Sequence, residues 1–322
     1  MMHQELLDQA VAAIAAADSL TLACHVGPDG DALGSMLALA AAATDAGKKV
    51  WPTFGQPFDP PETLRFLPLD LLVPPDEVPK DPPVFVAFDT GSADRLGEVA
   101  RVAKQAGTVI VVDHHVTNEG FGDIALVEPG LSSTAELTLA VIQRLGWPVT
   151  PVVATCLLTG IVTDTGRFQY SNTRPPTLLA AAKLVAAGAR PEIIGQHVYD
   201  EAPFGYLSVV SAVLGRAVLE LDRRLVWSVV VPADLASAGV DKGDVDGLID
   251  LIRLPRESDV AVLVKVVDDK VVKVSLRSRG RVDVGAIAAE LDGGGHHNAS
   301  GFTFTGSAEA AIEEIRKRLP ND

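Results

Sequence analysis

Cysteine is scarce in this chain of 322 residues: there are two, Cys24 and Cys156, each inside an apolar run and neither in a zinc-type spacing. No thiolate is available for a structural zinc site, and the pair reads as core thiols in a reducing compartment. Positive charge is also short, with 27 Lys and Arg against 42 Asp and Glu and a net charge of −15. A protein that coats long nucleic acid needs a basic surface to neutralise phosphates, so that class is disfavoured. A small anionic substrate is not, because bound cations invert the local field. Long apolar runs are missing too: the longest, Val149 to Thr163, falls short of the ~20 residues that span a bilayer. The opening MMHQELLDQAVAAIAAADS carries Glu5 and Asp8 and lacks the positive start of a secretory signal. Leu6, Leu7, Ala10 and Ile14 suit one face of an amphipathic helix instead. A cytoplasmic protein with no membrane contact is expected.

What is present is a globular composition, 48% apolar and 21% charged, in a length that suits about two domains. The stretch LTLACHVGPDGDALGS, Leu20 to Ser35, organises the first. A short apolar run ends abruptly in His25, Asp29 and Asp31, and an Ala-rich helical segment follows to about Ala46. Read alone, Pro28-Asp29-Gly30-Asp31 serves equally well as a turn. The design recurs, however. Val84 to Phe88 is a near-continuous apolar run ending at Asp89, and Thr108 to Val112 ends in Asp113-His114-His115. Apolar runs of this kind suit strands buried on both faces of a parallel sheet, and alternation of strand with helix supports that geometry. Three strands then deliver His and Asp to one sheet edge, the carboxyl edge where ligands bind in such sheets.

Around these runs, KKVWPTF from Lys48 is a second strand, Gln56 to Pro83 a Pro-rich surface excursion or set of small helices, and Ala93 to Ala106 a helix. A fourth apolar patch spans Ile124 to Val127. Ser132 to Leu145 and Pro151 to Thr163 read as helices, the second running into Asp164, and Thr177 to Ala187 as another. Residues 189–214 look helical, with breaks at Pro203 and Gly205, and are expected to join the domains. From 215 to 322 the chain is β-rich, with strands near 217–221, 226–231, 260–267 and 271–276, helices over Val245 to Ile252 and Val284 to Leu291, the run GGGHHNASGF from Gly293, then a strand and a last helix from Ala308 to Leu319. The expectation is an α/β chain: a parallel-sheet domain over 1–188 and a smaller α+β domain over 215–322.

His25, Asp29, Asp31, Asp89, His114 and Asp164, with His115 beside them, are more donors than one ion needs. A pair of ions sharing one carboxylate uses them all. Two ions ~3.5–4 Å apart lower the pKa of a shared water and clamp the attacking and leaving oxygens of a phosphoryl displacement. Mixed imidazole and carboxylate donors favour Mn²⁺ over Mg²⁺, with Co²⁺, Zn²⁺ or Fe²⁺ also compatible.

In order, the motifs HVGPDGD, VAFDTG, VVDHH and VTDTGRF, followed by GGGHHNASG, resemble the DHH phosphoesterase superfamily, named for the triplet at Asp113 to His115, together with its DHH-associated domain. The combination is most similar to the branch of nanoRNases and 3′-phosphoadenosine 5′-phosphate phosphatases. That resemblance implies hydrolysis of very short oligoribonucleotides, linear dinucleotides or bisphosphorylated adenosine, in a cleft between the two domains. By motif position it implies that His25, Asp29 and Asp89 hold one ion and Asp31, Asp89, His114 and Asp164 the other. His115 then faces the substrate, and Asp113 orients a neighbouring His. The associated domain implies Arg277, Ser278 and His296 at the far end of the substrate. An Arg forks well onto phosphate, and the Gly293-Gly294-Gly295 backbone can approach an anion closely. Arg279 and Arg281 read equally as surface charges.

Two positions depart from the family pattern: Gly27 stands where Asn is frequent, and His297 follows His296 where Pro is. Related chemistries are a longer-substrate exonuclease, a cyclic-dinucleotide phosphodiesterase and a pyrophosphatase; the glycine-rich domain disfavours the last. The rival of another class is a non-catalytic nucleotide-binding regulator, which a missing ligand would favour, but every motif position is filled. Short RNA or nucleotide bisphosphates are the expected partners, long duplexes are not, and a homodimer is the default oligomer.

Overall fold

The structure, a computed structural model, describes residues 4–320. The outermost ends of the two expected domains, residues 1–3 and 321–322, lie outside the described residues. The chain divides into two compact units after Asp200.

In the first unit, α1 (Gln4–Ala16) precedes β1 (Ser19–Cys24), α2 (Gly30–Asp45) and β2 (Lys49–Thr53). β3 (Val84–Phe88), α3 (Ala100–Ala103), β4 (Thr108–Asp113), β5 (Ile124–Val127), α4 (Thr134–Leu145), α5 (Pro151–Asp164), α6 (Pro175–Ala186) and α7 (Pro191–Gly195) complete it. The five strands stand in the order β2-β1-β3-β4-β5, all pairs parallel. The apolar runs are continuous because both faces are covered. Along β3, Val84, Val86 and Phe88 enter the core that contains α2 and α5, while Phe85 and Ala87 enter a second core with Leu96, Val99 and Val111. After β1 the chain moves outward to β2 and then returns to the other side of β1 as β3. The carboxyl ends of β1 and β3 therefore flank a topological switch point, where a crevice opens in parallel sheets.

Two helices carry acids to that edge and cross with almost no side chain between them. A Cβ on Gly34 of α2 would lie 2.3 Å from the Cys156 carbonyl oxygen of α5, and one on Gly160 of α5 would lie 2.5 Å from Asp31 Oδ1. Gly30, at the start of α2, faces Thr163 of α5 in the same way. From Gly30 to Ala43, α2 is wholly buried, which explains its lack of a polar face.

The helix expected over Ala93 to Ala106 is instead a 3₁₀ stretch, Ala93–Val99, followed by the single turn of α3. Gly97 breaks it by adopting φ +60° against Val26. The Pro-rich excursion contains two short 3₁₀ turns, Glu62–Leu64 and Leu69–Leu71. The segment 189–214 is shared between the units. Ile194 of α7 is in the first unit's core, whereas α8 (Tyr206–Gly215) packs Val209 and Val213 into the second.

The second unit continues with β6 (Val218–Glu220), β7 (Leu225–Val230), α9 (Pro232–Ala238), α10 (Ile249–Ile252), β8 (Val260–Val266) and β9 (Val271–Ser278). It ends with α11 (Val284–Ala289), β10 (Gly294–His296), β11 (Ala299–Thr305) and α12 (Ala308–Arg316). Its sheet runs β10-β11-β9-β8-β7-β6, antiparallel except for the β7–β8 pair. Along β8, Val260, Val262 and Val264 face one core and Ala261 and Leu263 the other. No helix among the described residues is long and apolar enough to cross a membrane.

Candidate metal centre

His25 is the first residue after β1, Asp29 caps α2, Asp31 lies in its first turn, Asp89 follows β3, Asp113 ends β4 with His114 and His115 just beyond, and Asp164 ends α5. Strand order and the α2–α5 crossing bring all of them together. His25 Nε2 lies 4.0 Å from Asp29 Oδ1 and 3.7 Å from Asp89 Oδ2. His114 Nε2 lies 3.4 Å from Asp164 Oδ2, 3.7 Å from Asp89 Oδ1 and 3.8 Å from Asp31 Oδ2. The donors thus form two groups, His25 with Asp29 and Asp89, and Asp31 with His114 and Asp164, each with atoms within 4.8 Å of one another. Asp89 stands between them, one carboxylate oxygen toward each. Its backbone is left-handed, φ +54°, a conformation uncommon outside glycine and tolerated best by Asp and Asn.

Burial pushes the Asp31 carboxyl well above the usual carboxylate range, and the charges of Asp89 and Asp164 add to the push. Asp89 is raised by burial against the pull of His115. Burial carries Asp164 up to about 6, with His114 pulling the other way. Three acids with pKa values raised by burial and by neighbouring carboxylates, beside two imidazoles and with no thiolate in the set, match the oxygen and nitrogen donors that divalent cations take. A cation among them removes the repulsion that these acids otherwise impose.

Asp113 behaves differently. Burial opposes its charge, but hydrogen bonds from His115 and Asn118 win and hold it down at about 2. Its Oδ1 accepts from the His114 amide at 2.8 Å and lies 2.7 Å from His115 Nδ1, and its Oδ2 accepts from Asn118 Nδ2 at 2.6 Å. Burial works against a charged His115 as well, yet the Asp113 bond and the Asp89 charge raise it to about 9.

The N-terminus of α4 grips this centre, a feature that sequence reasoning missed. Asp31 accepts from the Thr134 amide at 2.6 Å and the Ala135 amide at 2.9 Å, and Asp89 Oδ1 accepts from the Thr134 hydroxyl at 2.7 Å. Burying a carboxylate costs several kcal/mol, and hydrogen bonds to a charged group return about 1.5–3 kcal/mol each, so the helix end offsets part of that cost for Asp31, whose carboxyl stays well above the usual range. The local signal was legible as Ser133-Thr134-Ala135-Glu136, a Ser-x-x-Glu helix start. Ser133 Oγ does accept from the Glu136 amide at 3.2 Å, while the Glu136 carboxylate turns to the Ser132 amide and hydroxyl and to Thr177. Gly27 adopts φ +62° with open space around it, so this departure keeps to the two residues, Gly and Asn, that accept a left-handed backbone most readily.

In the second unit, register puts Arg277 and His296 opposite the same residue, Ala299, from either side of β11. Directly paired residues point to one face of a sheet, so the two basic side chains share a row. Ser278 is buried, and its hydroxyl accepts from the Gly280 amide at 3.0 Å, which places it in the turn after β9. The glycines are required by strand packing: a Cβ on Gly293 would lie 2.3 Å from the Gly301 carbonyl oxygen and one on Gly295 2.6 Å from that of Ala299, whereas Gly294 faces open space. His297 ties the same turn, with Nε2 3.0 Å from the Gly280 carbonyl oxygen. Arg279 donates to the carbonyls of Arg253 and Leu254, and Arg281 pairs with Asp259 at 3.1 Å, so both are structural.

Two family models match the chain: the DHH family N-terminal domain over residues 19–161 and the DHHA1 domain over 224–321. The bifunctional oligoribonuclease and PAP phosphatase NrnA of Thermus thermophilus is 37% identical over 305 residues, 92% of this chain and 89% of that protein. The protein of the same name from Bacillus subtilis is 27% identical and covers 91% of each. A solved structure, that of an exopolyphosphatase-related protein from Bacteroides fragilis, superposes with a TM-score of 0.88 at 27% identity over 98% of this chain and 96% of that one. Sheet order, strand-end donors and full-length similarity therefore agree that this chain belongs to the DHH family and carries a DHHA1 domain.

Proposed function

We propose that the protein is a divalent-metal-dependent phosphoesterase that hydrolyses very short oligoribonucleotides or linear dinucleotides to mononucleotides, 3′-phosphoadenosine 5′-phosphate to AMP, or both. The observation that carries this reading is Asp89, with one carboxylate oxygen toward His25 and the other toward His114. The full-length similarity to the two NrnA proteins supports the substrate class. His25, Asp29 and Asp89 would hold one ion and Asp31, Asp89, His114 and Asp164 the other, and Mn²⁺ suits this mixed set best, with Mg²⁺ or Co²⁺ as alternatives. Two such ions supply an activated water and neutralise charge on the transferring phosphoryl group.

The remaining residues move protons and hold the substrate. Asp113 binds His115 through Nδ1, so transfer of a proton to the departing oxygen would run through Nε2. A positioned acid of this kind contributes about 10²–10⁴-fold. Catalysis belongs to 1–188, and in 215–322 Arg277 and His296 would hold the distal phosphate or base with the Gly294–Gly295 backbone, while Ser278 shapes the turn that carries Arg277.

The test is a panel with Mn²⁺: 3′-phosphoadenosine 5′-phosphate, a dinucleotide, a five-mer, longer RNA and a cyclic dinucleotide. Turnover is expected on the first two. Binding without product would establish the regulator instead, and turnover confined to the cyclic substrate would replace the substrate assignment.

A further inference from the structure

Thr134 is wholly buried and sits at the first position of α4. Its amide donates to Asp31 at 2.6 Å and its hydroxyl to Asp89 Oδ1 at 2.7 Å, so one residue touches both acids. The contact to Asp89 matters for geometry. A carboxylate can rotate about its Cβ–Cγ bond, and rotation would carry both oxygens out of line with the two donor groups. Here Oδ2 lies toward His25 and Oδ1 toward His114, 3.7 Å each, and among the described residues the hydroxyl that donates to this carboxylate and fixes its plane is that of Thr134. The Thr134 amide meanwhile fixes Asp31 with respect to the same helix end. Because α4 is twelve residues long and anchored by Leu137, Val141 and Ile142 in the core, its terminus is a rigid reference for both.

We propose that Thr134 is a positioning residue: its hydroxyl sets the rotation of the Asp89 carboxylate so that each oxygen serves a different ion, and it thereby couples the two ions. This rests on the two-ion reading above. Partners that orient a ligand from behind are worth about 10–100-fold in metal affinity or activity, and loss of this one falls on the bridge, not on either group alone.

Mn²⁺ provides the probe, because two Mn²⁺ ions sharing a carboxylate are exchange-coupled and give an electron paramagnetic resonance spectrum distinct from that of isolated ions. The full chain is loaded with two equivalents of Mn²⁺ as wild type, Thr134→Val and Thr134→Ser, and each is also titrated calorimetrically. Valine keeps the shape and removes the hydroxyl; serine keeps the hydroxyl and removes a methyl. The expected result is a coupled spectrum in wild type and Thr134→Ser, and in Thr134→Val a spectrum of largely uncoupled ions with the weaker site loosened about 10–100-fold. Thermal melts of the metal-free proteins verify that all three are folded. A coupled spectrum of wild-type intensity in Thr134→Val overturns the role of Thr134 while leaving the two-ion reading intact. An uncoupled wild type overturns the two-ion reading and this proposal with it.

Discussion

In the first unit most of the ionisable side chains of the centre are inside: Asp31, Asp89, Asp113 and His114 are nearly inaccessible, while Asp29 is exposed. Backbone amides, a threonine hydroxyl and imidazoles hold them there. In the second unit, Arg277 and His296 stand half-buried on a sheet face, and the polar residues around them, Ser278, His297, Arg279 and Arg281, hold turns together. The first arrangement ties charge to the stability of the fold, since each buried acid depends on partners that cannot move away. The second holds its basic row on a sheet face with fewer partners that are themselves charged, Arg277 facing Asp250 at 3.9 Å and donating to the Leu276 carbonyl at 3.0 Å. Substitutions in the first unit should therefore change metal binding, stability and rate together, and those in the second should change substrate affinity alone.

The largest expected effect is that of Asp89→Ala, which removes the shared carboxylate. Calorimetry should find neither Mn²⁺ site intact and dinucleotide hydrolysis should fall below detection; retained turnover would sink the bridging assignment. Next is His115→Gln, with kcat lower by about 10²–10⁴-fold and Mn²⁺ binding preserved. Loss of Mn²⁺ in that variant would place His115 among the ligands and erase its separate role. Arg277→Ala should raise KM about 10–100-fold, the equivalent of one charged hydrogen bond of about 1.5–3 kcal/mol, at nearly constant kcat. A drop in kcat with unchanged KM would break the contrast between the units. The smallest effect has the opposite sign. Asp164→Asn takes one charge out of a cluster of mutually repelling acids, so the metal-free variant at pH 7 should melt a few degrees higher than wild type, by about 1 kcal/mol, while losing most of the rise that Mn²⁺ gives.

Much of the centre was legible because parallel strands buried on both faces read as plain apolar runs, and a His or Asp that terminates such a run has one place to go. Asp89 and Asp113-His114-His115 follow from that alone, and the three adjacent strands β1, β3 and β4 with them. What was hidden depends on contacts distant in sequence. The Thr134 amide meets an acid 103 residues earlier, and nothing near Ser132 announces it beyond an ordinary helix start. Gly97 shows a second limit: a glycine inside an Ala93–Ala106 helical pattern is compatible with a helix, and its left-handed turn with Val26, from another loop, where a Cβ would stand 2.8 Å away, depends on contacts distant in sequence. In the second unit the glycine run carries a structural requirement that its sequence does not announce. Gly293 and Gly295 let β10 approach β11, whereas a Cβ on Gly294 would meet nothing within 4 Å.

The contact between α2 and α5 has a consequence for how this chain can vary. Asp31 and Asp164 ride on two helices separated, at Gly34 and Gly160, by hydrogen atoms alone, so any added methyl must push one acid away from the other. Overpacking of this kind costs about 1–3 kcal/mol, a loss a stable protein tolerates, but the displacement reaches the ligands at full size. Gly34→Ala and Gly160→Ala should therefore lower activity more than they lower the melting temperature, which makes the pair a sensitive marker of whether a diverged sequence has kept its chemistry.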